Sequence, residues 1–386
     1  MAAPVRLQMA GSTRTGLTAG AAVGVVAMAA GFMLDPQRGW ANALMAGYAM
    51  LQFSLAGLFF LAVHQVTGAT WHTTIRRVPE AMAMAMPVGA VVILAVLLIR
   101  PSLYPWYTDP FPETAQWAFK SMWLSRPFFL ARTVGYLACW VLCARALVGA
   151  LREDEGPASA DRRLRLAITT LITLGFTLVP AAFDWIMSLN HEWFSTMIGF
   201  YEFAGMFLGG LAMLALLVVA TDRMTPAFTV TVDQRHDLAK FLFAFATFWA
   251  YLWFSQYMLI WYANITEETG YFIERTQGQW AVAFWGSVVL NWGVPFLLLL
   301  SVQARRSVTG LVAAAISILC GRLVDLHLSI ALPFVGGDVG SALAGVAVVV
   351  GAFSLFALAT CGALAGASLV PRTTGADHEG RGSLVG

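Results

Sequence analysis

Six carboxyl and imidazole side chains stand inside stretches that are mostly apolar: His64, Glu80, Asp184, Glu202, Asp325 and His327. A charged group at the middle of a bilayer costs about 2.5–3.5 kcal/mol even on the mild insertion scale, so such groups pair with one another or line a path. Carboxyl and imidazole groups accept and release protons, and a series of them inside a membrane is the material of a proton relay. These six are the candidate proton-path groups.

Their spacing sharpens the reading. Asp184 ends a one-faced stripe with Thr170, Thr173 and Thr177, and Pro180 on that face would free a backbone carbonyl. Burial among Phe183, Trp185 and Ile186 suits a group that takes a proton and hands it on. Asp325 is the natural second member, on a face with Ser317, Gly321 and Ser329. A third stripe runs through Thr247, Tyr251, Ser255 and Tyr262. The three faces form a hydrated route if they converge, but Ser and Thr stripes are equally common as glue between helices. Arg322 and Asp325, three residues apart, can neutralise one another on one helix. Glu80 after Pro79 also suits a helix N-terminus, favoured by the dipole.

Resident redox chemistry finds little support. Cys139, Cys143, Cys320 and Cys361 lie in apolar runs, with no C-x-x-C and no C-x-x-C-H, and read as small packing residues. His64 and His327 are ligand types for haem, but they fall toward opposite ends of their helices, and a b-type haem needs both at one depth. No metal site and no covalently bound cofactor is expected.

The elements that must position these groups are membrane helices. Of 386 residues, 59% are hydrophobic and only 11% charged, with a mean hydropathy of +0.72. Soluble domains are roughly 25% charged, so a soluble or disordered chain is excluded. A net charge of +2 gives nucleic acid no footprint. Windows of roughly 20 apolar residues each fall at 16–34, 42–67, 79–99, 127–149, 166–187, 196–220, 238–262, 280–302, 310–332 and 341–366. The expected organisation is an N-terminal segment 1–15, a polytopic domain 16–370 and a disordered tail 371–386. Fifteen basic residues fall on the side holding the N-terminus and every second loop, against five on the other. The positive-inside rule then puts both termini in the cytoplasm. On the outer side, 100–126 is rich in Pro and aromatics, with Trp106, Trp117 and Trp123 expected at headgroup depth. On the inner side, 153–163 reads as a polar linker.

Three strings, FFLAVHQVTGATWHTTIRRVPEAM (59–82), FDWIMSLNHEWFSTMIGFYEFAG (183–205) and FWAYLWFSQYMLIWYANITEETGYFIER (248–275), carry a resemblance. Together they resemble the ActF-type membrane subunit of bacterial alternative complex III, within the NrfD/polysulfide-reductase membrane-subunit family. The resemblance runs over about 15–335. It implies two four-helix bundles flanked by a peripheral helix at each end, in a bacterial inner membrane. It also implies a complex that oxidises menaquinol or ubiquinol and passes electrons to cytochrome c or an oxidase. Partner subunits would carry the iron–sulfur clusters and haems, and a paralogous membrane subunit would have the better-supported quinol site. A quinone head group on this chain is then expected near Asp184, His191, Trp193 and Tyr262. The ninth span departs from the family's aromatic-rich pattern: it reads Cys320-Gly-Arg322-Leu-Val-Asp325-Leu-His327, keeping the acid and adding a charge. Two other readings stay open: a secondary transporter, whose intramembrane acids would serve a substrate, and a structural anchor whose acids are internal pairs.

Overall fold

A computed structural model describes residues 7, 9–109, 111, 118–153, 156–190, 193–334 and 339–366, the side chains of 339–344 excepted. His191, Trp117 and the tail at 371–386 lie outside the described residues. Ten described helices are long and apolar enough to cross a membrane. They are α1 (Gly11–Leu34), α2 (Pro36–Thr67), α3 (Arg77–Ile99), α4 (Arg126–Leu151) and α5 (Pro157–Leu189), then α6 (Ile198–Met224), α7 (Val232–Ala263), α8 (Trp280–Leu300), α9 (Val308–Phe334) and α10 (Gly345–Ala365). The described residues hold no strand. The chain is an all-α, multi-pass membrane protein.

Local chemistry sets the helix ends. The Asp35 carboxylate accepts from the Gln37 and Arg38 amides at 3.0 and 3.3 Å, and Pro36 opens α2. Gly68, at φ +64°, closes it. Thr231 and Gln234 cap α7 reciprocally, and Asn264, at φ +49°, ends it. Two expected boundaries move. Helix α1 begins at Gly11, inside the segment 1–15. Helix α5 begins at Pro157, so much of the expected linker 153–163 is helical; the Ser159 hydroxyl closes the first turn onto Gly156.

Helices α2 and α6 form the centre, with 89% and 83% of their apolar windows buried, against 6% for α1. They meet closely because Gly210 lies over Ala56, where a Cβ on the glycine would overlap the alanine methyl. Within α2–α5, α2 touches α3, α4 and α5, and α4 touches α3 and α5. Within α6–α9, α6 touches α7 and α9, while α7, α8 and α9 touch one another. Helices α1 and α10 pack together and both lie on α2.

The connections collect at two faces. On the loop-rich face, the Tyr104 hydroxyl donates to the Trp185 carbonyl at 3.1 Å and Trp193 stacks on Tyr271 at 4.0 Å. On the arginine-rich face, Arg76 donates to the Leu151 carbonyl at 3.2 Å and Gln234 to the Trp71 carbonyl at 3.1 Å. Trp106 is 6% exposed and packs on Tyr104 and Phe129 rather than standing free among headgroups. Its segment folds back over the bundle and buries the ring, although its Nε1 has no hydrogen-bond partner among the described residues. Two π-helical turns interrupt the regular ladder, at Val289–Gly293 in α8 and His327–Ala331 in α9. Such a turn spares a backbone carbonyl for an outside partner and often marks a functional site.

Candidate functional site

One arginine stands between two acids where α2, α6 and α9 meet. Arg322, Glu202 and Asp325 are all buried, as are the neutral polar groups around them, Tyr48, Gln52 and Tyr201. Arg322 Nη1 donates to Asp325 Oδ2, and the Tyr201 hydroxyl donates to Asp325 Oδ1. Arg322 Nη2 donates to Gln52 Oε1 at 3.2 Å and lies 3.9 Å from Glu202 Oε2. That same Oε2 accepts from Tyr48 at 3.2 Å and from Gln52 Nε2 at 3.1 Å, while Glu202 Oε1 is buried without a partner. Gly205, one turn along α6, makes the room: a Cβ there would overlap the guanidinium.

Small cavities flank this cluster. One, of about 30 Å³, is bordered by Asp325, Tyr201, Gln256, Ser287, Ser329 and Arg275. The other, of about 20 Å³, lies beside Glu202, Tyr48 and Gln52 under the rings of Trp140 and Trp185. A polar cavity above roughly 10–15 Å³ holds a water, so each has room for at least one. The first is roofed by the amphipathic helix Thr266–Thr276. Arg275 from that helix donates to the Leu328 carbonyl, spared by the α9 π turn, at 3.0 Å, and its guanidinium lies over Tyr271. Burial pushes the Tyr271 hydroxyl pKa up. The arrangement can hold, orient and exchange protons with confined water.

The other predicted groups fall elsewhere. Asp184 does not share a site with Asp325. Both its oxygens accept from Arg132, at 2.8 and 2.9 Å, and Trp123 Nε1 and the Tyr136 hydroxyl add bonds at 2.8 and 3.2 Å. The expected proton carrier, desolvated by apolar neighbours, is instead a saturated carboxylate in a two-pronged ion pair. Glu80 is fully buried among Arg76, Arg77 and Arg152, at 3.2, 2.7 and 3.2 Å, a clamp closing the arginine-rich face rather than a lone helix-start acid. His64 belongs to that face too, with its ring centroid 4.5 Å from that of His72. His327 is buried in the α9 π turn beside Trp280, with Nε2 unpartnered, and lies apart from the acids.

One expectation of convergence is corrected. The stripe on α7 faces outward: Tyr251 and Tyr262 are 63% and 82% exposed, and α7 buries Trp249, Trp253 and Gln256 instead. Packing decides the inward face: Trp249 lies beside Tyr201 of α6, and Trp253 beside Phe284 of α8. Of the expected quinone neighbours, Trp193 is buried against Tyr271, Tyr262 is exposed, Asp184 is enclosed by Arg132, and His191 is outside the described residues.

Sequence reasoning missed Tyr48, Gln52, Tyr201, Arg132 and Arg275 as members of these networks. A buried glutamine in an apolar run was a signal for Gln52. The tyrosines carried none, since their rings suit lipid and interior alike. In comparisons with protein-family models and with curated proteins, nothing matches the chain.

Proposed function

We propose that this chain is the proton-handling membrane subunit of a quinol:electron-acceptor oxidoreductase, of the ActF type within the NrfD/polysulfide-reductase family. The observation that carries the reading is the pair of buried acids sharing Arg322 at the junction of α2, α6 and α9, with water-sized cavities on both sides. Quinol oxidation releases two protons for every two electrons, and a membrane subunit that receives them needs such a store. Haem and iron–sulfur centres then belong to partner subunits, and menaquinol or ubiquinol is the reductant.

The string 183–205 that carries the family resemblance also supplies Tyr201, Glu202 and Gly205 to the cluster. The contacts within α2–α5 and within α6–α9, with α1 and α10 outside, support two four-helix bundles and a peripheral pair. The arginine-rich face is the cytoplasmic one on this reading, and the loop-rich face, with Glu267 and Glu268, docks the electron-carrying partners and lies near the paralogous subunit. The closed pairs at Asp184 and Glu80 hold the fold, which narrows proton handling to Glu202 and Asp325.

The test is purification of the tagged full-length chain in mild detergent from its native membrane. The expected result is a coloured complex with haem and iron–sulfur absorbance that oxidises quinol. Glu202→Gln is expected to assemble with unchanged spectra and reduced quinol turnover or proton release. A colourless protein purified alone, with substrate-dependent uptake after reconstitution, would establish the transporter reading instead.

A further inference from the structure

The cluster at Glu202, Arg322 and Asp325 has a charge imbalance built into it. All three side chains are buried. With both acids ionised, two negative charges face one guanidinium. Tyr48, Gln52 and Tyr201 contribute only neutral dipoles. Among the described residues, the neighbouring spans present uncharged side chains to the cluster: α5 presents Trp185 on the Glu202 side and α7 presents Trp249 against Tyr201. At the edge stands Arg275, which brings its own counter-charge, with Nη1 3.4 Å from Glu274 Oε2. An uncompensated charge in an apolar interior is the costliest arrangement open to a buried ion cluster, and a single proton removes it.

We propose that the cluster is a binding site for one proton, held on Glu202 in the geometry seen here, and that Arg322 pairs with whichever of the two acids is ionised. The two carboxyls are not equivalent. Asp325 accepts at both oxygens, from a guanidinium and from a phenol, which is the environment of a carboxylate. Glu202 is held at Oε2 alone, by the neutral donors Tyr48 and Gln52. Its Oε1 is buried without a partner. As a carboxylate oxygen it would be unsatisfied. As a hydroxyl it donates into the cavity of about 20 Å³ beside it, which has room for one water.

The alternative state lies close by. Arg322 Nη2 is 3.9 Å from Glu202 Oε2, and Gln52 already links the two, accepting from the arginine and donating to the acid. When Glu202 gives its proton to the water beside it and Asp325 takes one from the cavity on its own side, the guanidinium exchanges partners and the net charge of the cluster is unchanged. One proton is thus released on the Glu202 side and another taken up on the Asp325 side, while the guanidinium only exchanges partners. This deepens the function proposed above and rests on it only for where the proton comes from and goes.

The experiment counts protons. Infrared difference spectra between wild type and variants are recorded on the full chain with the subunits that co-purify with it, following the carbonyl stretch of protonated carboxyl groups and its shift in D2O. Glu202→Gln is expected to lose one such band. Asp325→Asn is expected to lose the same band, because Arg322 is then left with Glu202 alone and ionises it. Arg322→Gln is expected to gain a second band, since both acids must then be neutral. Should that last variant not fold, the two amide variants decide the matter. No difference band in Glu202→Gln means that Glu202 is ionised, the proton being on Asp325 or absent with Arg275 supplying the second positive charge, and overturns the proposal. So does a Glu202 band that survives in Asp325→Asn. A wild-type turnover in Glu202→Gln with the band lost would leave the proton site standing and remove the assigned function.

Discussion

Asp184 and Glu202 are both buried acids near one end of their helices, yet their surroundings give them opposite characters. Asp184 is matched by a full guanidinium and two further donors, so removing its charge leaves the half-buried Arg132 without its counter-ion. Breaking one partner of a buried pair costs about 3–5 kcal/mol. Asp184→Asn is therefore expected to lower the thermal stability of the detergent-solubilised protein by an amount of that order, and Arg132→Met in the same chain to recover part of it. Equal stability of Asp184→Asn and wild type would falsify the pairing. A second prediction concerns His72, in the connection before α3. Burial, with His64 and Arg76 nearby, pushes its pKa from 6.5 down to about 3. The imidazole stays neutral in the fold, while the unfolded chain takes up a proton below about pH 6.5. Its contribution is whole above that pH and is lost as pH falls toward 3, by at most about 1.4 kcal/mol per pH unit. His72→Gln should thus lose less stability than wild type between pH 7 and pH 5 in matched unfolding measurements. The acids themselves were readable in the sequence, because a charge in an apolar run is conspicuous. Their partners were not: Tyr48 and Glu202 stand 154 residues apart, and Arg132 and Asp184 stand 52 apart.

At the scale of elements, helix existence followed from apolar length, but the inward face did not. In water the buried face of a helix is its apolar one; in lipid both faces are apolar, and packing rather than hydrophobicity chooses between them. That is why the polar stripe of α9 turned inward while that of α7 turned outward. Small residues carry more of the signal. Gly20 and Gly24 lie four apart on α1 and face Ser354 and Gly351 on α10, where any added Cβ would collide. Gly24→Val should push α1 off α10 while leaving the central cluster untouched. In a chain freed of its native cysteines, Ser354→Cys should react faster with a thiol reagent when Gly24→Val is also present, because α1 no longer covers that position. An unchanged rate would show that the two helices do not depend on this close approach. The π turns of α8 and α9 are each followed by a proline, Pro295 and Pro333, whose missing amide loosens the ladder, and Ser317 and Arg275 take the carbonyls of Leu290 and Leu328 there.

For the whole molecule, the proposed orientation rests on the uneven spread of arginine and lysine between the two faces. Ala158 and Thr266 stand exposed at opposite faces. In a chain freed of its four native cysteines, Ala158→Cys should be shielded from an impermeant thiol reagent in intact cells and Thr266→Cys should react. The reverse pattern would turn the protein over, and with it the side from which the cavity near Asp325 is reached. The assembly reading makes the same demand of the loop-rich face, which must be the one available to extracytoplasmic partners.

The sequence alone determined that this is an all-α, multi-pass chain with ten spans and a handful of titratable groups inside them. Those properties depend on composition and local periodicity, and transfer from water to lipid is a sum over neighbouring residues. It also put Arg322 within reach of Asp325, because a spacing of three residues on a helix sets a distance. Only the tertiary structure decided which acids are sealed by arginines and which are left one charge short. Charge balance in a buried site depends on side chains brought together from α2, α6 and α9, and no single helix contains the balance.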